Sequence, residues 1–238
     1  MRSYHPADRI FVALDVPDLD EARGLAAQLR GRVGGFKVGL ELCTSEGVPF
    51  VAEALGLMGG LFFDLKLKDI PNTVASAIRA LGRFGGAVRF ITLYCDGGGA
   101  MLRAAVEAVH SLGDHRPRLL GVTVLTSFSA ETLGEVGMDR DMGAQVVRLA
   151  QLAQASGLDG VVASPHEVAA IRAACGPNLL IVTPGVRPTW AATDDQQRVM
   201  TPREALQAGA DYLVIGRPIT AAPFSPLEAV EKILSELE

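Results

Sequence analysis

The chain has 238 residues, 49% hydrophobic and 21% charged, enough to bury a large core; an α/β barrel uses this length as one domain, so residues 1–238 are read as one. A net charge of −5 with no basic block or aromatic–basic stripe argues against a nucleic-acid partner, yet leaves room for an anion in a locally positive cleft. No apolar run reaches membrane-spanning length, the start Met1-Arg2-Ser3-Tyr4-His5-Pro6 lacks a signal-peptide core, and Cys43, Cys95 and Cys175 have no metal-like spacing, so a cytoplasmic protein with buried, reduced thiols is expected.

In chain order, short apolar runs alternate with amphipathic stretches. Ile10–Leu14 reads as a strand ending at Asp15. Asp18-Leu-Asp-Glu21 starts a helix with an acidic first turn, and Leu19, Ala22, Ala26 and Leu29 recur at helical spacing. Phe36–Leu42 is the second strand, carrying Lys37, and a helix follows through Val48–Leu57. Gly60–Leu65 is a strand and Pro71–Phe84 a helix; Ala87–Tyr94 is a strand and Gly99–Leu112 a helix. Arg118–Leu125 is the fifth strand, followed by helical sequence from Ser129 to Ser156, broken near Gly137. Leu158–Ala163 and Leu179–Thr183 are two more strands. Residues Gly185–Val199 are polar and aperiodic, a long loop of the kind that is often functional. Pro202–Gln207 reads as a helix and Tyr212–Ile215 as the last strand. Ser225-Pro226-Leu227-Glu228 opens a closing helix that buries Leu227, Val230, Ile233, Leu234 and Leu237.

Near-continuous apolar strands imply a parallel sheet covered by helices, and eight such units close into a (β/α)8 barrel. The alternative is an open doubly wound sheet, but no Gly-rich dinucleotide loop follows the first strand.

Barrel chemistry sits at the carboxyl ends of the strands. Those ends carry Asp15, Lys37, Asp64, Lys66 and Asp69, then Thr126-Ser127, Thr183-Pro184-Gly185-Val186-Arg187 and Gly216-Arg217. Each has a plainer reading. Asp15 could cap the next helix, and Lys37, alternating with Phe36 and Val38, could point into solvent. Lys68 and Arg187 read singly as surface residues. His5, His110, His115 and His166 lie away from the main strand ends and read as surface or capping residues. The combination carries the argument. After the last strand, Gly216 lets the backbone approach a ligand, Arg217 offers a bidentate donor for phosphate oxygens, and Pro218–Ala221 could begin a small helix. Arg187 and Gln196 of the long loop could close over the same anion. Barrels often bind phosphate at this corner.

The segment Phe63-Asp64-Leu65-Lys66-Leu67-Lys68-Asp69-Ile70-Pro71-Asn72-Thr73-Val74 resembles the signature of the orotidine 5'-phosphate decarboxylase family. Val12-Ala13-Leu14-Asp15, Phe36-Lys37-Val38-Gly39, Val124-Leu125-Thr126-Ser127, Thr183-Pro184-Gly185-Val186-Arg187, Asp195-Gln196 and Ile215-Gly216-Arg217 fit the same pattern in order, so the resemblance spans nearly the whole chain. It implies a carboxy-lyase that converts orotidine 5'-phosphate to uridine 5'-phosphate, the last step of de novo pyrimidine nucleotide synthesis, with no metal and no organic cofactor. It also implies a homodimer with active sites at the subunit interface. Carried over, Lys66 is the proton donor in a charged row with Lys37, Asp64 and Asp69. Asp69, Ile70 and Thr73 act in the neighbouring subunit, and Asp15 and Lys37 hold the ribose. Thr126 contacts the base region, and Pro184 belongs to the loop-seven match. Arg187, Gln196, Gly216 and Arg217 clamp the phosphate.

Two places depart from the family pattern. Tyr94-Cys95 stands where His-Ala is frequent, and Leu67-Lys68 where Phe-His is frequent. Competing readings are a magnesium-dependent 3-keto-sugar phosphate decarboxylase or hexulose phosphate synthase, and a catalytically dead barrel acting as a nucleotide sensor. The Ile-Pro-Asn-Thr tail and Asp195-Gln196 favour the pyrimidine branch over the first, and the complete charged row argues against the second.

Overall fold

The computed structural model describes residues 5–191 and 200–237. Eight parallel strands close into a barrel in chain order: β1 (Ile10–Ala13), β2 (Gly35–Val38), β3 (Gly60–Leu67), β4 (Val88–Tyr94), β5 (Arg118–Val122), β6 (Gly160–Val162), β7 (Leu180–Thr183) and β8 (Tyr212–Ile215), with β8 pairing back onto β1. The helices packed around them are α1 (Leu19–Leu29), α2 (Leu40–Glu46), α3 (Val48–Leu55), α4 (Pro71–Gly82), α5 (Gly99–His110), α6 (Ala130–Glu135), α7 (Met142–Ala155), α8 (Val168–Cys175), α9 (Pro202–Gln207), α10 (Arg217–Thr220) and α11 (Pro226–Leu237). The (β/α)8 expectation is met.

Both faces of each strand are covered, so the period of two sorts residues between two apolar environments. Ile10, Val12, Phe36, Val38, Leu61 and Phe63 pack outward against the helices. Phe11, Phe62, Phe90, Tyr212, Leu120, Leu180, Val182 and Val214 point into the barrel. Inside, Phe11, Phe62, Phe90 and Tyr212 stack edge to face with centroids 5.2–5.9 Å apart, the arrangement favoured by ring quadrupoles. This plug fills the middle of the barrel, below the strands' carboxyl ends. Gly35 makes room for it: a Cβ there would sit 2.7 Å from the Phe11 ring and 2.0 Å from the Gly60 carbonyl oxygen.

The helix starts follow their sequence signals. Asp18 caps α1 by accepting from Glu21 N at 2.9 Å, and Thr201 and Glu204 form a reciprocal capping box on α9. Ser225 accepts from Glu228 N at 3.2 Å at the head of α11. Helical sequence after β5 breaks between α6 and α7 around Gly137, as the pattern predicts.

Three expectations need correction. The second strand stops at Val38, and Leu40–Glu46 is helical. Gly39 caps that helix, and the side-by-side burial of Leu42 and Cys43 is a helical pattern that alternation from Phe36 had masked. The fifth strand ends at Val122, not Leu125, so Thr126 lies on a loop. The sequence pattern assigned no helix between the sixth and seventh strands, but α8 lies there. Val168, Ile171 and Cys175 are its buried stripe, and its alanines favour a helix. All three cysteines are buried and free.

Candidate active site

A cavity of about 410 Å³ opens above the aromatic plug at the carboxyl ends of the strands, a size typical of small-molecule sites. Its floor includes Phe62, Val122, Val162 and Val214; Asp15, Lys37, Asp64 and Lys66 line one side, and Pro184, Gly185, Arg187, Gly216 and Arg217 another. Strand alternation explains the charged wall. Asp15 continues the inward series of Phe11 and Ala13, and Lys37 lies between outward-facing Phe36 and Val38. Asp64 and Lys66 follow Phe62 at steps of two. Lys37 therefore points into the barrel, and its solvent-facing reading is ruled out: the residue is 8% exposed.

The charges form a connected row. Lys37 Nζ lies 2.7 Å from Asp15 Oδ1 and 3.9 Å from Asp64 Oδ2. Lys66 Nζ lies 2.8 Å from the same Asp64 Oδ2. Two carboxylates thus face two ammonium groups, which offsets the desolvation of the lysines. Asp15 serves this row, and the helix cap is Asp18.

The backbone at Lys66 is unusual. Its φ of 51° makes it the one non-glycine residue with positive φ among the described residues. The register explains why. Phe63 pairs with Ile91 and Leu67 with Leu93, so four steps on β3 match two on β4. Asp64, Leu65 and Lys66 lie in that bulge, a device that re-aims side chains beside active sites. A left-handed non-glycine residue costs of order 1–2 kcal/mol, and such strain clusters at functional sites. Thr92, fully buried on β4, sits across from the bulge. Its hydroxyl donates to Asp64 Oδ1 at 3.0 Å and accepts from Lys66 N at 2.9 Å.

The remaining sequence-predicted residues divide into three groups. Thr126, Pro184, Arg187, Gly216 and Arg217 line the cavity with the charged row. A Cβ on Gly216 would find only ordinary contact distances, 3.4 Å to the Ala13 Cβ and 4.0 Å to Asp15 Oδ2. Internal packing therefore does not require glycine there. Asp69, Ile70 and Thr73 are exposed and are not part of the cavity wall. Asp69 Oδ1 accepts from Ile70 N at 2.6 Å, and Ile70 is 67% exposed. Gln196 lies outside the described residues.

The two departures from the family pattern meet in space. Lys68 Nζ lies 2.8 Å from Asp96 Oδ2 and 5.8 Å from the Tyr94 ring centroid. Lys68 is exposed, as expected, and its ammonium also bridges the ends of β3 and β4. Burial first, then the carboxylates of Asp96 and Asp64, push the Tyr94 hydroxyl pKa up, so it stays protonated at neutral pH. None of the four histidines lines the cavity.

Sequence reasoning missed Thr92, and it did not assign roles to Ser127, Gly185 and Thr220, which also line the cavity. Thr92 had a signal: it is the polar residue between Ile91 and Leu93, two steps from inward-facing Phe90.

Known proteins resemble the chain along its length. Residues 8–233 match the model of the "Orotidine 5'-phosphate decarboxylase / HUMPS family". The chain is 53% identical over 232 residues to an orotidine 5'-phosphate decarboxylase of Trichlorobacter lovleyi, covering 97% of this chain and 95% of that one. It is 52% identical over 239 residues to one of Moorella thermoacetica, covering 98% and 94%. The crystal structure of orotidine 5'-phosphate decarboxylase from Lactobacillus acidophilus superposes with a TM-score of 0.84 at 35% identity, covering 96% of this chain and 98% of that one. An uncharacterized conserved protein from Geobacillus kaustophilus gives 0.83 at 35% identity, covering 96% and 100%.

Proposed function

The chain belongs to the orotidine 5'-phosphate decarboxylase / HUMPS family, and from that premise we propose that it converts orotidine 5'-phosphate to uridine 5'-phosphate and carbon dioxide, with Lys66 as proton donor. The observation that carries this reading is the placement of Lys66. A strained backbone in a strand bulge aims its ammonium at Asp64 inside the cavity, and Arg187 and Arg217 line the same cavity from β7 and β8.

Loss of carbon dioxide leaves an electron pair on a pyrimidine ring carbon with little delocalisation. The reading uses neither metal nor organic cofactor, so fixed charges must stabilise that pair and a side chain must supply the proton. An ammonium at the reacting carbon does both. The barrier reduction required of this chemistry is at the upper end for enzymes, about 20 kcal/mol, more than one ammonium provides. Contacts to the remote phosphate and ribose must therefore help form the reactive arrangement. Arg187, Gln196, Gly216 and Arg217 hold the phosphate in this scheme, with Pro184 in the same loop. Asp15 and Lys37 hold the ribose, and Thr126 meets the base.

Asp69, Ile70 and Thr73 act in a second copy of the chain. The exposure of all three, with an isoleucine 67% open to solvent, supports a lip that a partner covers. The full scheme is a cytoplasmic homodimer of one-domain barrels whose charged row, Lys37-Asp64-Lys66, is completed by the partner's Asp69.

The test is direct. Purified protein is incubated with orotidine 5'-phosphate in excess chelator while the ultraviolet absorbance of the substrate is followed. Loss of absorbance with uridine 5'-phosphate as product supports the reading. Turnover of a keto-sugar phosphate only when magnesium is supplied would place the chain in the other branch of its family.

A further inference from the structure

We propose that Thr92 is a positioning residue for the proposed decarboxylation, setting both the orientation of the Asp64 carboxylate and the left-handed backbone of Lys66 through one hydroxyl. The inference rests on the decarboxylase reading, but half of its test does not depend on turnover.

A threonine hydroxyl has one proton to donate and lone pairs to accept. Here the proton goes to Asp64 Oδ1 at 3.0 Å, and a lone pair takes the Lys66 N–H at 2.9 Å. The bulge has displaced that N–H from the regular β3–β4 ladder, and a buried N–H without a partner is costly. The Thr92 side chain thus replaces the missing strand contact, and it stabilises Lys66 at φ 51°. With Oδ1 committed to Thr92, the Asp64 carboxylate presents Oδ2 to Lys66 at 2.8 Å and Lys37 at 3.9 Å. One group therefore fixes the acceptor and the backbone of the donor together. Thr92 does not line the cavity, so it acts through Lys66 and Asp64.

Removing the hydroxyl should slow chemistry without weakening ground-state binding, because the residues placed on ribose and phosphate come from β1, β2 and the ends of β7 and β8. T92V keeps the branched shape but leaves Asp64 Oδ1 and Lys66 N unpartnered. T92A opens space for water and serves if T92V folds poorly. T92S keeps the hydroxyl.

In steady-state assays, T92V or T92A should lose about 10- to 100-fold in kcat with KM within about 3-fold, and T92S should restore kcat to within about 3-fold of the parent. Crystal structures of the same variants give the second readout. T92V or T92A should show the Lys66 Nζ–Asp64 separation beyond 4 Å or φ at residue 66 moved out of the left-handed region, and T92S should show neither. Parental kcat in a folded T92V or T92A, a T92S as slow as T92V, or unchanged Lys66 and Asp64 geometry in the hydroxyl-free variants would each overturn the proposal. If the parent chain fails to turn over orotidine 5'-phosphate, the functional reading falls, and the crystallographic comparison still decides whether Thr92 positions the pair.

Discussion

The two ends of the barrel use charge differently. At the end where the strands begin, ion pairs are closed on themselves and on the backbone. Arg116 meets Asp159 through two bonds of 2.8 and 2.9 Å, and Asp159 Oδ2 also takes Leu119 N at 2.8 Å. Arg172 donates to Asp211 Oδ2 at 2.9 Å and to the carbonyls of Gly176, Leu179 and Gly209, and the same Oδ2 accepts from Ile181 N at 2.9 Å. These pairs tie neighbouring strand starts together. At the other end, Lys37 and Lys66 share a single carboxylate oxygen, and Lys66 sits on a strained backbone. Closed, bidentate pairs hold a fold; a strained and shared arrangement has a geometry that the fold alone does not need. Charge near a strand end is therefore read by how its hydrogen bonds are completed, not by its presence.

Substitutions can break this contrast in both directions. The largest effect is expected at the mouth: Lys66→Ala should lower turnover more than about a thousand-fold in steady-state assays, with the melting temperature essentially held. Arg217→Ala comes next. Losing the charged donor proposed for the phosphate should raise KM about 10- to 100-fold, measured as substrate dependence of the rate. At the closed end the outcome inverts. Asp159→Ala should cost about 2–3 kcal/mol in chemical denaturation, a value lowered from that of a fully buried pair because both partners keep some solvent contact, while kcat stays near the parent's. A smaller change sharpens the role of strain. At φ 51° a glycine lacks the Cβ clash, so Lys66→Gly should be about 1 kcal/mol more stable than Lys66→Ala by denaturant titration. Were Asp159→Ala to abolish turnover while leaving stability intact, the division between the two ends would fail.

The thiols provide a pH test of the core. Burial, and then Asp96, push Cys95 up to about 12, and burial pushes Cys43 to about 11 against the opposing charge of Lys37. An unfolded thiol ionises near its ordinary value of about 8.5, so the unfolded chain releases protons first as pH rises. These cysteines should therefore destabilise the fold progressively above about pH 8.5, and both should resist alkylation at pH 8 until the chain is unfolded.

Much of this was legible from sequence because strand-end chemistry and burial obey simple periods. The alternation that puts Phe62 inside also puts Asp64 and Lys66 inside, and the apolar runs set the strands to within a few residues. Lys37 was ambiguous for a physical reason: in a closed parallel barrel both faces are covered, so an inward lysine and an outward one fit the same alternation. The bulge was not legible, since it is a mismatch between two strands and appears only when Phe63–Leu67 is set against Ile91–Leu93. Alternation marks Thr92 as an inward polar residue, but its contacts to Asp64 and Lys66 were hidden with the bulge. The contact between Lys68 and Asp96 was likewise invisible, because the two residues lie 28 positions apart on separate strand ends and meet only in the folded barrel. Gly39 ended a strand earlier than the apolar pattern suggested, a reminder that a cap outweighs a continuing run of leucines.

The claim that Lys66 acts on the reaction rather than on binding is tested most directly by titrating uridine 5'-phosphate into Lys66→Ala and the parent chain by calorimetry. The account predicts dissociation constants within about tenfold of each other, because the contacts proposed for phosphate and ribose come from other strands. A loss of product affinity as large as the loss of turnover would contradict it.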